Sequence, residues 1–316
     1  MFDVTAIGEL LIDFTPAGKG SMGNPCFEMN PGGAPANCLA ALNKLGGKTA
    51  FIGKVGQDLF GDFLYSVLEK EGIETRGISE TDETNTTLAF VSLYENGERE
   101  FAFVRKPGAD VLLRNEDIVA SIIESSKIIH FGSLSMTHEP ARSTVISAVE
   151  NAKKMGKSIS YDPNYRPLLW DSEANAIQWM KKGLQYADIV KMSDEEMTLI
   201  TGVKDIRQGA EALFKSGKKY VFITMGGEGA YYQCENGNGF VPPFKVDPVD
   251  TTGCGDAFTG ALLYELCYEK DKNPYEMVLF ANAVGALCAT KKGGIPSMPA
   301  MGEVIKLMEA KKNEAR

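Results

Sequence analysis

Asp250-Thr251-Thr252-Gly253-Cys254-Gly255-Asp256-Ala257-Phe258 is the stretch on which the reading of this chain turns. Apolar and turn-forming residues (240–249) lead into it, and an unbroken amphipathic run (257–266) leads out. That pattern predicts a loop feeding the first turn of a helix. Gly253 and Gly255 let the main chain turn so that several N–H groups converge on one point, where the helix end adds partial positive charge. Such a point suits a phosphate or a developing oxyanion. Asp256 puts a carboxylate at the same place, a poor arrangement as structure alone because it would repel the anion. The two features agree if the acid takes the proton of a hydroxyl that attacks a phosphate. The plainer alternative is a helix start with Asp256 as a first-turn acid.

Other stretches share this double character. Gly32-Gly33-Ala34-Pro35-Ala36-Asn37 opens a helix predicted over 35–45. Its glycines admit close approach by a ligand, and Asn37 offers a donor and an acceptor to sugar hydroxyls; a Gly-Pro turn with an exposed Asn37 is the alternative. Asp13 ends a first strand predicted over 4–12, where a carboxylate can hold two adjacent hydroxyls or cap a turn. Asp162-Pro163-Asn164-Tyr165-Arg166-Pro167 follows another predicted strand. There Arg166 can clamp a phosphoryl or substrate oxygen, or form a surface salt bridge in a Pro-bounded loop. Ser193-Asp194-Glu195-Glu196 begins a helix whose acids can hold Mg²⁺ through waters, or complement the dipole behind an N-cap. Thr224-Met225-Gly226-Gly227-Glu228-Gly229 joins two strands, either as backbone open to a nucleotide or as a Gly-rich hairpin turn.

Around these stretches strand and helix alternate. Strands are predicted at 50–55, 128–131, 158–162, 189–192, 220–224 and 229–233. Helices are predicted at 61–71, 141–155, 174–186, 194–201, 206–216, after Asp256, and at 274–290 and 301–312. Repeated βα units imply a parallel sheet covered on both faces, with ligands at the carboxyl ends of the strands. Residues 86–104 break the pattern. They alternate at period two around Asn96-Gly97, which predicts a hairpin that leaves the main sheet as a flap, or else forms an antiparallel edge on it.

The chain has 316 residues, 44% hydrophobic and 24% charged, enough for one large domain with a small appendage. A net charge of −9 argues against a nucleic-acid or anionic-membrane surface. Six cysteines include no C-x-x-C pair, and with two histidines a zinc site is not expected. No basic segment precedes the first apolar run and no run reaches spanning length, so neither signal peptide nor membrane helix is expected. G-x-x-x-x-G-K-[ST] is absent, and no G-x-G-x-x-G follows the first strand, which disfavours P-loop and nicotinamide-dinucleotide chemistry.

Taken in order, the 32–37, 224–229 and 250–258 elements resemble the ribokinase-like carbohydrate kinases of the PfkB family, over nearly the whole chain as far as Gly293-Gly294-Ile295-Pro296-Ser297. Residues 8–14, 31–37, 51–56, 97–101, 160–166 and 281–287 read most like that family's fructokinases. The resemblance implies a three-layer α/β/α domain spanning 1–316, with a mostly parallel sheet and a small β lid from about 14–31 and 86–106. It implies ATP, Mg²⁺, a sugar acceptor phosphorylated at fructose C6, a cytoplasmic setting and a homodimer joined through the lids. 2-Keto-3-deoxygluconate, ribose and aminoimidazole riboside are the other acceptors it allows, and a catalytically silent sugar sensor is the non-enzyme alternative.

By the same likeness Asp256 is the catalytic base, and Gly253, Cys254 and Gly255 form the anion hole. Asp13, Gly32, Gly33, Asn37, Phe103, Arg105, Asp162 and Arg166 serve the sugar or the transferring phosphoryl group. Ser193, Glu196, Thr224, Gly226, Gly227, Gly229 and Asn282 serve the nucleotide and its metal. Asp250, Thr252, Cys288, Lys291, Gly293 and Ser297 occupy positions that bind K⁺ in many relatives, Cys288 and Lys291 through their backbone. The chain departs from the family in having Cys254 where a smaller residue is usual, and Ser193 in place of the Asn of Asn-x-x-Glu.

Overall fold

The structure is a computed structural model and describes residues 1–93, 99–269 and 272–314. Its chain enters through strand β1 (Phe2–Ile7), then forms β2 (Leu11–Lys19), β3 (Pro25–Gly32), helix α1 (Ala34–Lys44), β4 (Thr49–Gly56), α2 (Leu59–Lys70) and β5 (Glu74–Thr81). A hairpin pair follows, β6 (Leu88–Leu93) and β7 (Arg99–Val104). Regular alternation then runs through α3 (Ala120–Glu124), β8 (Ser126–Gly132), α4 (Ala141–Lys154), β9 (Ser158–Asp162), α5 (Glu173–Leu184), β10 (Ile189–Ser193), α6 (Asp194–Thr201), α7 (Ile206–Lys215) and β11 (Tyr220–Thr224). β12 (Ala230–Cys234), β13 (Gly237–Val241), α8 (Cys254–Tyr268), α9 (Pro274–Ala289) and α10 (Met301–Glu314) complete it.

Nine strands form one sheet in the order β13-β12-β11-β10-β9-β8-β1-β4-β5. Every pairing from β11 to β5 is parallel, and β12 and β13 add an antiparallel edge. Strand alternation feeds two cores. Leu39, Leu64, Phe258 and Val284 fill one face under α1, α2, α8 and α9, while Val145, Met180, Met197 and Leu213 fill the other under α4 to α7. The order reverses at β1, from which the chain builds outward in both directions. That switch point is where a crevice opens above the carboxyl ends of the strands.

Four strands form a second, smaller sheet in the order β3-β2-β6-β7. Phe14 stacks on Phe90 with centroids 4.8 Å apart, and Phe14 meets Phe60 of α2 edge-on at 5.9 Å, which seats the small sheet against the body. Asp58 caps α2 and also accepts from Thr86 N and Thr86 Oγ1, both at 2.8 Å, which pins the start of β6. The 86–104 hairpin therefore leaves the main sheet, and the antiparallel-edge alternative falls; its Asn96-Gly97 turn lies outside the described residues.

The strand predicted over 4–12 is two strands in two sheets. β1 ends at Ile7 and β2 starts at Leu11. A side chain at Gly8 would stand 2.7 Å from Pro35 Cγ, and Glu9 turns inward to accept from Ala34 N at 3.1 Å. Both ends of the run are buried, so its hydrophobicity is continuous across the break. Strands β5 and β13 were not expected from the sequence, whereas β3 falls within the 14–31 stretch read as part of the lid.

Candidate active site

The first turns of α1 and α8 touch. Asn37 Nδ2 donates to Asp256 Oδ2 at 2.8 Å. Gly253 is the N-cap of α8 with φ 79°, a left-handed conformation that disfavours any residue with a Cβ. A Cβ there would also come within 3.2 Å of Gly294 Cα. Gly255 lies inside α8 and is needed for a different reason: its Cβ would stand 2.8 Å from Lys191 Nζ. No side chain caps α8, which leaves first-turn N–H groups for a ligand anion.

Burial, and next the charge of Asp162, push the Asp256 carboxyl up to about 6, against the Asn37 hydrogen bond and the charges of Lys191 and Arg166. Asp13 is pushed up to about 7 by burial, with Asp256 and Asp250 adding to the rise and Arg166 opposing it. Asp13 thus belongs to the same charge cluster, although it lies in β2 of the small sheet and not at the end of a main-sheet strand. Gly32, which ends β3, packs against the Asp13 carboxylate, and Gly33, which caps α1, packs against the Glu9 carbonyl and Leu10. Arg166 is exposed, its Nη1 donating to Tyr165 O at 3.0 Å, and its charge reaches both acids. The preceding Asn164 holds φ 45°, strained backbone that sets the course of this loop.

Two of the expected sugar residues are committed elsewhere. Asp162 is 3% exposed and salt-bridged to Lys191 Nζ at 2.9 Å, with Thr259 Oγ1 at 3.4 Å from the same oxygen. Its acid serves the floor under α8, because β9 and β10 place it beside a buried ammonium. Arg105 is buried against Asp110 at 2.6 Å and also donates to Thr137 Oγ1 and Leu134 O. With Phe103 it lines a cavity of 610 Å³ walled by Leu169 and Trp170.

Thr224, Gly226, Gly227, Gly229 and Asn282 come together in the fold. They line a cavity of 730 Å³ that reaches Cys254 and Gly255, so it ends at the start of α8. Asn282 Nδ2 donates to Val241 O and Pro242 O, which fixes the loop that forms one wall. Ser193 and Glu196 form a reciprocal capping box, Glu196 N donating to Ser193 Oγ at 3.1 Å and Ser193 N to Glu196 Oε2 at 2.8 Å. Glu196 Oε1 accepts from Tyr165 N, so both oxygens already hold main-chain donors and fit a hydrated Mg²⁺ only through water. Among the described residues no group of three or more His, Cys, Asp or Glu stands ready for a metal.

The six residues assigned to K⁺ divide. Asp250 accepts from Thr252 N and Gly293 N, and Cys288 Sγ lies 3.0 Å from Ser297 Oγ and 3.7 Å from Thr252 O. This knot of hydroxyl, carbonyl and carboxylate oxygens fits a hard alkali cation. The Lys291 side chain points away to Glu303 at 2.8 Å and takes no part in the knot, while its N–H donates to Cys288 O at 3.1 Å. Cys254 and Cys288 are free thiols, as are all six cysteines.

Lys191 was not foreseen. The signal was present: a lysine between Val190 and Met192 in a strand otherwise read as fully apolar.

An acid and an anion cradle on one helix end are an arrangement that can serve phosphoryl transfer to an alcohol. The protein is a sugar phosphotransferase, as comparison with known proteins makes clear. The family model described as pfkB family carbohydrate kinase matches residues 1–301. The chain belongs to that family. It is 42% identical over 314 residues to probable fructokinase-4 of Arabidopsis thaliana, covering 97% of this chain and 96% of the relative. Among solved structures, a fructokinase with bound ATP from Xylella fastidiosa superposes with TM-score 0.90 at 33% identity, covering 99% of this chain and 100% of the other. A fructokinase from Vibrio cholerae in a form with fructose, ADP and calcium bound gives 0.87 at 32%, covering 97% and 99%. Among the described residues no helix is long and apolar enough to cross a membrane.

Proposed function

We propose that this chain is an ATP-dependent fructokinase that phosphorylates the C6 hydroxyl of D-fructose, with Asp256 as general base and the amides of Gly253, Cys254 and Gly255 as the anion hole. The observation that carries the reading is the meeting of Asp256 and the 730 Å³ cavity at one helix end, where Cys254 and Gly255 belong to both. Phosphate groups laid along the Thr224–Gly229 wall would reach the start of α8, and a sugar between Asp13, Gly33 and Asn37 would face Asp256.

As the sugar oxygen attacks the γ-phosphorus, its proton passes to Asp256 and the bond to the bridging oxygen breaks, releasing ADP. The acid accepts late in a loose transition state, so a carboxylate suffices. Amides at the start of α8, with the Arg166 guanidinium nearby, meet the charge on the phosphoryl oxygens. Mg²⁺, carried on the ATP phosphates and approached through water by Glu196, would supply further neutralisation; K⁺ would be held by the Asp250, Thr252 and Ser297 knot. The small sheet acts as a lid that keeps water from the phosphoryl group. Pairing of two copies through these sheets, in the cytoplasm, belongs to the same reading, and light scattering after size exclusion tests the pairing.

The deciding experiment is ADP release across fructose, ribose, 2-keto-3-deoxygluconate and aminoimidazole riboside. Turnover should be highest with fructose, and Asp256→Ala should lower it by ~10²–10⁴. Preference for another acceptor would reassign the sugar. Sugar binding with no ADP release would make the protein a sensor, and near-normal turnover in the variant would remove Asp256 as base.

A further inference from the structure

Lys191 takes no direct part in the proposed phosphoryl transfer. β10 is buried, and alternation sets Lys191 on the same face as Ile189, under α8, beside Asp162 of β9. Thr259, one turn beyond Gly255, donates to the Gly255 carbonyl at 2.9 Å and reaches the Asp162 oxygen that also holds the ammonium. The space a side chain on Gly255 would need is the space the ammonium fills. Glycine at 255 and lysine at 191 are thus matched across the floor of the anion hole.

We propose that Lys191 is a positioning residue for phosphoryl transfer: its ammonium screens Asp256 from the buried carboxylate of Asp162 and holds the first turn of α8 over the sheet. This rests on the reading of Asp256 as the base. Groups face Asp256 from every side: Asn37 and the Cys38 thiol from α1, Asp13 from β2, Arg166 from the loop after β9, Asp162 from β9 and Lys191 from β10. Glu196 of α6 acts on Lys191, and Asp250 of the preceding loop acts on Asp13. Against these acids stand Arg166 and Lys191. Arg166 is exposed, so solvent and salt screen its charge, whereas the Lys191 charge is buried and is not screened in that way. A buried ion pair is weak evidence for stability, since apolar residues of similar size often serve as well. Its place under the anion hole is better explained by what it does to Asp256.

The test is kcat/KM against pH, which reports the free enzyme, for the full-length wild type and Lys191→Met. The acid limb should move upward by about one to two pH units, so that the loss is much larger near pH 6 than near pH 8, and Lys191→Arg should restore the limb at least in part. A lysine that only fills space would lower the rate evenly. A limb at the wild-type position, or below it, overturns the inference. Should Lys191→Met not fold, Asp162→Asn carries the opposite sign. Removing that acid should move the limb downward, and an unmoved or raised limb is equally fatal. Failure of the fructose assignment is separate. It shows in the wild type as ADP release with another sugar, and the limb is then read with that sugar.

Discussion

Asn37 Nδ2 and Asp256 Oδ2 lie 2.8 Å apart across 219 residues of sequence, joining the first turn of α1 to the first turn of α8. The bond commits one carboxylate oxygen and, on the proposed mechanism, leaves the other for the acceptor hydroxyl. It also favours the ionised acid. Asn37 Oδ1, buried and without a hydrogen-bond partner among the described residues, is an acceptor that a sugar hydroxyl can satisfy.

Asn37→Ala should therefore damage both binding and chemistry. Loss of a hydrogen bond to a charged group is worth about 1.5–3 kcal/mol, which corresponds to a fall in kcat/KM of roughly 10–150-fold. The acid limb of the profile should also rise, because the bond that lowers the Asp256 value is gone. Steady-state kinetics across pH measure both; a change in KM alone would confine Asn37 to sugar binding.

The wild-type profile follows from the two raised acids. Asp256 must be ionised to accept a proton, and burial holds it up to about 6. Activity should fall as pH drops through that value, well above the usual aspartate range. Asp13, pushed up to about 7, should add a weakening of sugar binding over a slightly higher window. A pH series of kcat and of KM for the sugar separates the two, and a limb near pH 4 would contradict the Asp256 assignment.

Much of this arrangement was legible because loops and helix starts carry their chemistry in sequence. The 250–258 loop and the 224–229 turn could be recognised locally, and Thr224, Gly226, Gly227, Gly229 and Asn282 do line one cavity. What could not be read depends on which side chain meets which across the fold. Residues 4–12 give one apolar run whether they make one strand or cross between two sheets. Arg105 and Asp162 are residue types suited to a transferring phosphoryl group and to sugar hydroxyls, yet Asp110 and Lys191 claim them, and only tertiary structure pairs them. Ser193 to Glu196 allowed a metal role or a capping box, and the hydrogen bonds form the box.

Arg105 offers a stability test. Its guanidinium and the Asp110 carboxylate are both almost fully buried, so removing one partner strands the other charge. Arg105→Met should destabilise the fold by about 3–5 kcal/mol, and Arg105→Met with Asp110→Asn should recover much of that. Urea unfolding of the single and double variants measures the coupling. If the single variant keeps its stability but loses sugar affinity, Arg105 acts on the ligand and the ion pair is incidental.

Glu9 sets a pH dependence of stability whose sign is opposite to that of an ordinary paired acid. It is 2% exposed, Oε1 accepts from Ala34 N at 3.1 Å, and Oε2 has no hydrogen-bond partner among the described residues. Burial pushes its carboxyl up to about 8 from an ordinary 4.5. Between those values the folded protein keeps a proton that the unfolded chain has lost. Stability contributed by this group is therefore full below the unfolded value, falls as pH rises through the window and levels off above the folded value. Glu9→Gln keeps an acceptor for Ala34 N and cannot ionise. Its stability relative to wild type should grow from about pH 5 to about pH 8.5, by at most about 3–5 kcal/mol for so large a displacement. Urea unfolding at the two pH values measures the difference, and a gap that stays constant would mean that Glu9 titrates alike in the folded and unfolded chain.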